Sequence, residues 1–426
     1  MSSTAPIPAA DSLRNHPAFV RYWFARAAAS FAFQMLSVAV GWQVYEMTGR
    51  AFDLGMIGLV QFIPSVLLAL PAGHVADQFN RRRIVLLCQT FEWIAITVLA
   101  LGTYLHWFDE IAIFAMLLLI GVAKAFEFPA MQAFLPSLVP PDLFPRATAT
   151  ATSASQAATI VGPAIGGLLY ATGAHIVYAV AAILYFVSAL LFLGMRTIYV
   201  PVKREPATLK SLFAGVTFIR ARPVVLGAIS LDLFAVLFGG ATALLPIFAR
   251  DILHSGPFAL GLLRAAPAVG ALMMGVWLGR HALQRRVGMI MFTSVAGFGI
   301  ATIIFALSNS FVISLAAFFA LGAFDMVSMV IRSSLVQLET PDAMRGRVSA
   351  VNSIFINTSN QLGEFESGVT AAWFGAVNAT LIGGVGTLVV VALWAWWFPS
   401  LRQREHLQSC APQLADEQRE RAADTV

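Results

Sequence analysis

Ten ionisable side chains fall inside long apolar runs: Arg26, Glu92, Lys124, Glu127, Asp232, Arg264, Asp325, Arg332, Glu364 and Glu366. Within a bilayer each needs a partner, a water-filled cavity or a place near the interface. The chemistry open to them is proton exchange and recognition of a polar solute, because no nucleophile stands with a base, and neither a phosphate-binding loop nor zinc-ligand spacing is present. No catalytic residue, metal or cofactor is therefore expected. Lys124 and Glu127, spaced i, i+3, neighbour one another on one helix face. Asp325 and Arg332 share a face but stand roughly 10 Å apart along the axis, too far to pair directly. Asn357, Gln361 and Glu364 recur at i, i+4 and i+7 as one polar stripe. Glu366 points about 200° away from Glu364, so Glu364 is expected to face a cavity and Glu366 to pack, paired with Arg264. Arg26 and Asp232 each follow a proline by the same interval, Pro17 and Pro223. At matched depth they could form a pair between two halves, or Arg26 could snorkel along its stem to the surface. A membrane carboxylate exchanges its proton as water and cations reach or leave it. Asp232, Asp325, Glu364 and Glu127 are accordingly the candidates for proton coupling.

These residues must be positioned by membrane helices. The chain has 426 residues, 58% of them hydrophobic and 12% charged, about half the charged share of a soluble domain. Apolar runs give twelve expected spans, near 19–44, 54–75, 84–106, 109–132, 147–170, 175–195, 224–249, 259–280, 287–307, 311–336, 347–372 and 379–398. With both termini cytoplasmic, only Arg50 and Arg250 lie in outer loops, and Arg26, Lys124, Arg264 and Arg332 lie within spans; all other cations fall on the inner side. That bias sets the orientation, and it accounts for the net charge of +5 without nucleic acid. No signal peptide is apparent at the polar N-terminus. Two cysteines, Cys88 and Cys410, cannot build a disulfide framework. Trp394, Trp396 and Trp397 read as an interfacial belt, and Phe31, Phe33 and Gln34 with Phe234 and Phe238 as an aromatic cavity wall.

A polar stretch, 196–222, splits the spans six and six, with a first bundle over 1–195, a second over 223–400 and a polar tail over 401–426. The halves repeat weakly: Pro17, Phe52, Leu54, Gly55 and Gly73 recur as Pro223, Phe258, Leu260, Gly261 and Gly279. Parallel six-helix repeats are expected of transporters that rock around a central site. GHVADQFNRRR, Gly73 to Arg83, resembles the loop signature G-x-x-x-D-x-x-x-R-[KR] of the major facilitator superfamily, and GPAIGG, Gly162 to Gly167, resembles its antiporter motif. With the HPAF opening, ATGAH and TPDAMRGRV, the chain to about residue 400 resembles the exporter branch that includes enterobactin and macrolide efflux proteins.

The resemblance implies an all-α membrane protein of twelve helices in two pseudo-symmetric bundles, acting as a monomer in the bacterial inner membrane. It implies a latch on the cytoplasmic side, in which Gly73, Asp77, Arg81 and Arg82 engage the N-terminus of span eleven, a site where helix amides stabilise a carboxylate. Leu283 replaces the acid in the second half, so the latch is expected to be one-sided. Gly162, Pro163, Gly166 and Gly167 would favour close packing, a kink and export over import. Span three is peripheral in the family, so Glu92 is read as structural. The expected function is proton-coupled export of an amphiphilic small molecule, a siderophore or drug, through a cavity with Arg26, Gln34, Lys124, Arg264, Arg332, Asn357 and Gln361. Proton symport of a small solute into the cell and a non-transporting sensor or scaffold are the alternatives.

Overall fold

The computed structural model describes residues 12–195, 209–281 and 285–407. In chain order the helices are α1 (Pro17–Thr48), α2 (Ala51–Leu67), α3 (Ala69–Gln78), α4 (Arg81–Tyr104), α5 (Glu110–Phe134), α6 (Phe144–Tyr170), α7 (Ala174–Leu193) and α8 (Leu209–Arg220). They continue with α9 (Pro223–Phe238), the short α10 (Leu245–Ile247) and a π-helical turn (Phe248–Ile252). Then come α11 (Pro257–Arg280), α12 (Val287–Leu307), α13 (Phe311–Glu339), α14 (Asp342–Phe374), α15 (Ala376–Trp397) and α16 (Pro399–Arg402). Among the described residues no strand occurs.

Among the described residues, nine stretches are long and apolar enough to cross a bilayer on their own, among them α9 to the π turn taken together. A tenth span is α2 with α3, bent by 52° at Leu68, just past Pro64, which has no N–H for the helical ladder. The remaining two of the twelve, α6 and α14, are more polar, because each carries a row of small or amide side chains in place of apolar ones.

Local signals set the ends. α1 begins on Pro17 and stops at Gly49, whose φ of 63° is the left-handed C-terminal conformation. Asn80 and Asp109 cap α4 and α5 by accepting from the amides of Arg83 and Ala112, at 3.3 and 2.9 Å. Arg82 donates to the terminal carbonyls of Phe192 and Leu193, at 2.8 and 2.6 Å, and Arg81 to Ala76 and Ala133, at 3.2 and 2.9 Å. Cations thereby satisfy the carbonyl ends of α3, α5 and α7.

One apolar core contains only residues of the first six spans, Phe19 to Met195, and another only residues of the last six, Ala228 to Leu401. A third runs across both halves. α8, from the expected linker, lies along α14: Gly215 approaches Val351 so closely that a Cβ would stand 2.9 Å from it. Ile219 is buried with Val225 and Val348. Trp394 is buried, donating to Ser230 at 2.8 Å; of the expected tryptophan belt only Trp396 and Trp397 are exposed.

Candidate functional site

The described ends, Ser12 and Leu407, lie on one face of the bundle, here the terminal face; the other is the distal face. The distal half is shut by two helix pairs that join the halves. α6 meets α11, where a Cβ on Gly167 or Gly261 would collide with the backbone of Pro257 or Pro163 respectively. α2 meets α14, where a Cβ on Gly55 would stand 2.9 Å from the Cα of Gly368. Gly55 and Gly261 are the glycines equated by the sequence repeat, and each seats its helix against the opposite half. Small residues permit this approach of backbones. Within GPAIGG the duties divide: Gly162 and Gly166 admit Gln34 and Met35 of α1, at 2.7 and 2.9 Å from a notional Cβ, while Pro163 and Gly167 face α11. Side chains add to the seal. Ser65 donates to Gln361 at 3.0 Å, Arg264 donates to Ser37 at 2.9 Å, and Tyr45 hydrogen-bonds Asp251.

Toward the terminal face a cavity of about 220 Å³ opens among α1, α5 and α6. Its wall brings together four of the expected residues, Arg26, Gln34, Lys124 and Glu127, with Phe33, Phe128 and Met131 as apolar surface. Gln34 donates to Thr159 at 2.9 Å. Arg26 donates to Ser155 at 3.0 Å and to Tyr22 at 3.1 Å. It neither reaches Asp232 nor runs to the surface, so both expectations for it are corrected: Ser155 and Tyr22 hold it within the first half.

Lys124 pairs with Glu127 as the i, i+3 spacing implies, but it also stands 3.2 Å from Glu92, which is fully buried on α4. Gln89, one turn from Glu92, donates to Glu127 at 2.9 Å and accepts from Ser188 of α7 at 2.8 Å. Glu92, read from the sequence as structural, is thus part of the charged cluster. Its i−3 neighbour Gln89, a second polar side chain on the same face of an apolar helix, was the available signal.

In the second half Asp232 of α9 and Arg332 of α13 form a buried ion pair. Asp325 does not pair with Arg332, as its spacing implies, and lies with Asp232 and Ser328 along a narrow cleft. Three expectations about spans eight and eleven change. Glu364 packs on α2, where a Cβ at Gly58 would be 2.8 Å from its own Cβ, so it belongs to the closed distal contact and does not line the cavity. Glu366 accepts from Thr370 at 2.8 Å and does not pair with Arg264. Asn357 is exposed while Gln361 is taken by Ser65, so the stripe is shared between open space and the seal. Phe234 rests on Trp394, with ring centroids 5.1 Å apart, and Phe238 on Gly386, away from the cavity.

The loop signature is apart in this state. Gly73 has open space around it, and among the described residues no hydrogen bond or ion pair is recorded for Asp77. Arg81 and Arg82 are engaged as helix caps. Leu283 lies outside the described residues, as do 1–11, 196–208 and 408–426.

Twelve spans in two bundles, sealed at the distal face and hollow toward the terminal one around buried charges, define a transporter of the major facilitator superfamily and not an enzyme. Residues 9–421 match the family described as transmembrane secretion effector, and the chain belongs to it. The enterobactin exporter EntS of Escherichia coli K12 is 27% identical over 94% of this chain and 96% of its own length. EntS of Shigella boydii is 27% identical over 89% and 92%. Among solved structures, a bacterial homologue of the human lysosomal transporter Spinster, inward-facing and occupied, superposes with a TM-score of 0.72 at 14% identity, covering 92% of this chain and 97% of its own. The nucleoside transporter NupG gives 0.66 at 15% identity, covering 89% and 99%. These two likenesses carry the fold alone.

Proposed function

We propose that the protein exports an amphiphilic small molecule, a siderophore or drug-like compound, from the cytoplasm in exchange for protons. The terminal face is then cytoplasmic, a placement that the clustering of Lys and Arg in the loops on that side supports. The protein sits in the bacterial inner membrane as a monomer, with no cofactor beyond the proton gradient. Residues 1–195 and 223–400 are the two bodies that rock, 196–222 links them, and 401–426 is a cytoplasmic tail. The observation that carries this reading is the cavity wall. One side offers Phe33, Phe128 and Met131 to an apolar cargo, and the other offers Arg26, Gln34, Lys124 and the carboxylate Glu127. The relation to an enterobactin exporter supports the choice of cargo and direction. In the alternate state the glycine contacts at the distal face part, Asp77 engages α14, and the cargo leaves on the other side.

Reconstitution in liposomes with an imposed pH gradient tests the reading, with enterobactin and ethidium as probes. Probe movement opposite to proton flow is the expected result. Movement in the same direction as protons identifies a symporter, and binding without any flux identifies a sensor or scaffold; either overturns export.

A further inference from the structure

We propose that Glu92 and Glu127 share a single proton around Lys124 and form the station from which that proton is released into the terminal-face cavity. The inference deepens the proton-exchange reading by assigning its site, but it is tested without any cargo. Two carboxylates converge on one ammonium: Glu92 at 3.2 Å and Glu127 in direct contact. Glu92 is fully buried and Glu127 is 4% exposed. With every group ionised the cluster carries one negative charge beyond what Lys124 balances, and Glu92 holds its share of it fully buried. A buried site sheds such a charge by binding a proton, and adjacent carboxylates do not both stay ionised without a second cation.

Among the described residues no cation other than Lys124 forms an ion pair with either carboxylate. On α1, Arg26 is turned to Ser155 and Tyr22, and Phe33 presents its ring to Lys124. On α4 the remaining neighbours are Gln89 and Cys88, both neutral donors or acceptors. On α7, Tyr185 lies under Lys124 with its ring centroid at 5.2 Å, and Ser188 bonds Gln89. The exit is built in. Glu127 and Lys124 line the cavity while Glu92 does not. The proton passes from the Glu127 carboxyl to cavity water, the O–H bond breaks, and the carboxylate left behind stays on Lys124 until a proton returns. Gln89 holds Glu127 in place from the other side.

The test is infrared difference spectroscopy of the purified full-length protein in lipid nanodiscs, reading the C=O stretch of protonated carboxyl groups. Wild-type protein minus Glu92→Gln, and wild type minus Glu127→Gln, should each show the loss of one protonated carboxyl, because the surviving acid is neutralised by Lys124. Lys124→Gln should do the reverse and add one, since both acids then stand without a cation. Unchanged carboxyl bands in both glutamine variants, or a loss in Lys124→Gln, would overturn the proposal. Two single variants of the same shape as the native residue keep it testable if one does not fold. A liposome experiment showing no proton-coupled flux in wild type would sink the export reading while leaving this spectroscopic result standing.

Discussion

Gly55→Leu is expected to pull the molecule out of the state described here and into one that is open at the distal face. The native glycine lets α2 ride on α14, and even a Cβ there would stand 2.9 Å from the Cα of Gly368 and 3.0 Å from the carbonyl of Phe365. Both neighbours are backbone and cannot rotate away. Overpacking of this kind costs about 1–3 kcal/mol, and a penalty confined to one of two states shifts their ratio by roughly 5–150-fold. Spin labels at Met47 and Trp373, both exposed near the distal ends of α1 and α14, in a background with Cys88 and Cys410 replaced by alanine, would report the change. Their mean separation should lengthen in Gly55→Leu, and likewise in Gly261→Leu, its counterpart at the α6–α11 contact. If the distance distribution in both variants matched that of the parent, the glycine contacts would not be what holds the distal face shut.

The second large effect concerns stability. Arg332→Gln should lower the thermal midpoint of the detergent-solubilised protein sharply, because it strands Asp232 beside Asp325 with no cation in a nearly closed cleft. Removing one member of a buried pair costs about 3–5 kcal/mol, whereas replacing both with neutral groups costs much less. Asp232→Asn combined with Arg332→Gln should therefore recover most of the loss. A double variant as unstable as the single one would mean that packing, not charge, is what Arg332 contributes. Since this pair lies wholly within the second half, the same substitutions should leave the label distances of the preceding experiment unchanged.

The architecture was largely legible because its signal is local. Apolar runs of membrane length marked the spans, and the periodic recurrence of Gly55 as Gly261 pointed to repeated halves. The bend at Leu68 was not legible: Pro64 permits a kink, but its size depends on what α2 and α3 pack against. The site followed the same division. Lys124 and Glu127 could be paired from spacing alone, because both lie on one helix. Asp232 with Arg332, and Glu92 with Lys124, join different helices, and nothing in a linear pattern says which helices are neighbours or how they are rotated. Periodicity put Glu364 and Glu366 on different faces, yet it could not say that the Glu364 face would meet α2.

The row of glycines at the distal contact has a bearing on what the resting protein lets through. Where backbone meets backbone at Gly55 and Gly368, no long side chain has to be ordered on closing, and no rotamer is free to swing aside and admit a file of water. A plug of flexible side chains would flicker, and each opening would conduct ions down the electrochemical gradient of the cell. A carrier that idles between rare cargo molecules is exposed to that loss continuously. A closure whose tightest points are backbone on backbone would leak less than one made of side chains alone, and would cost the membrane potential less.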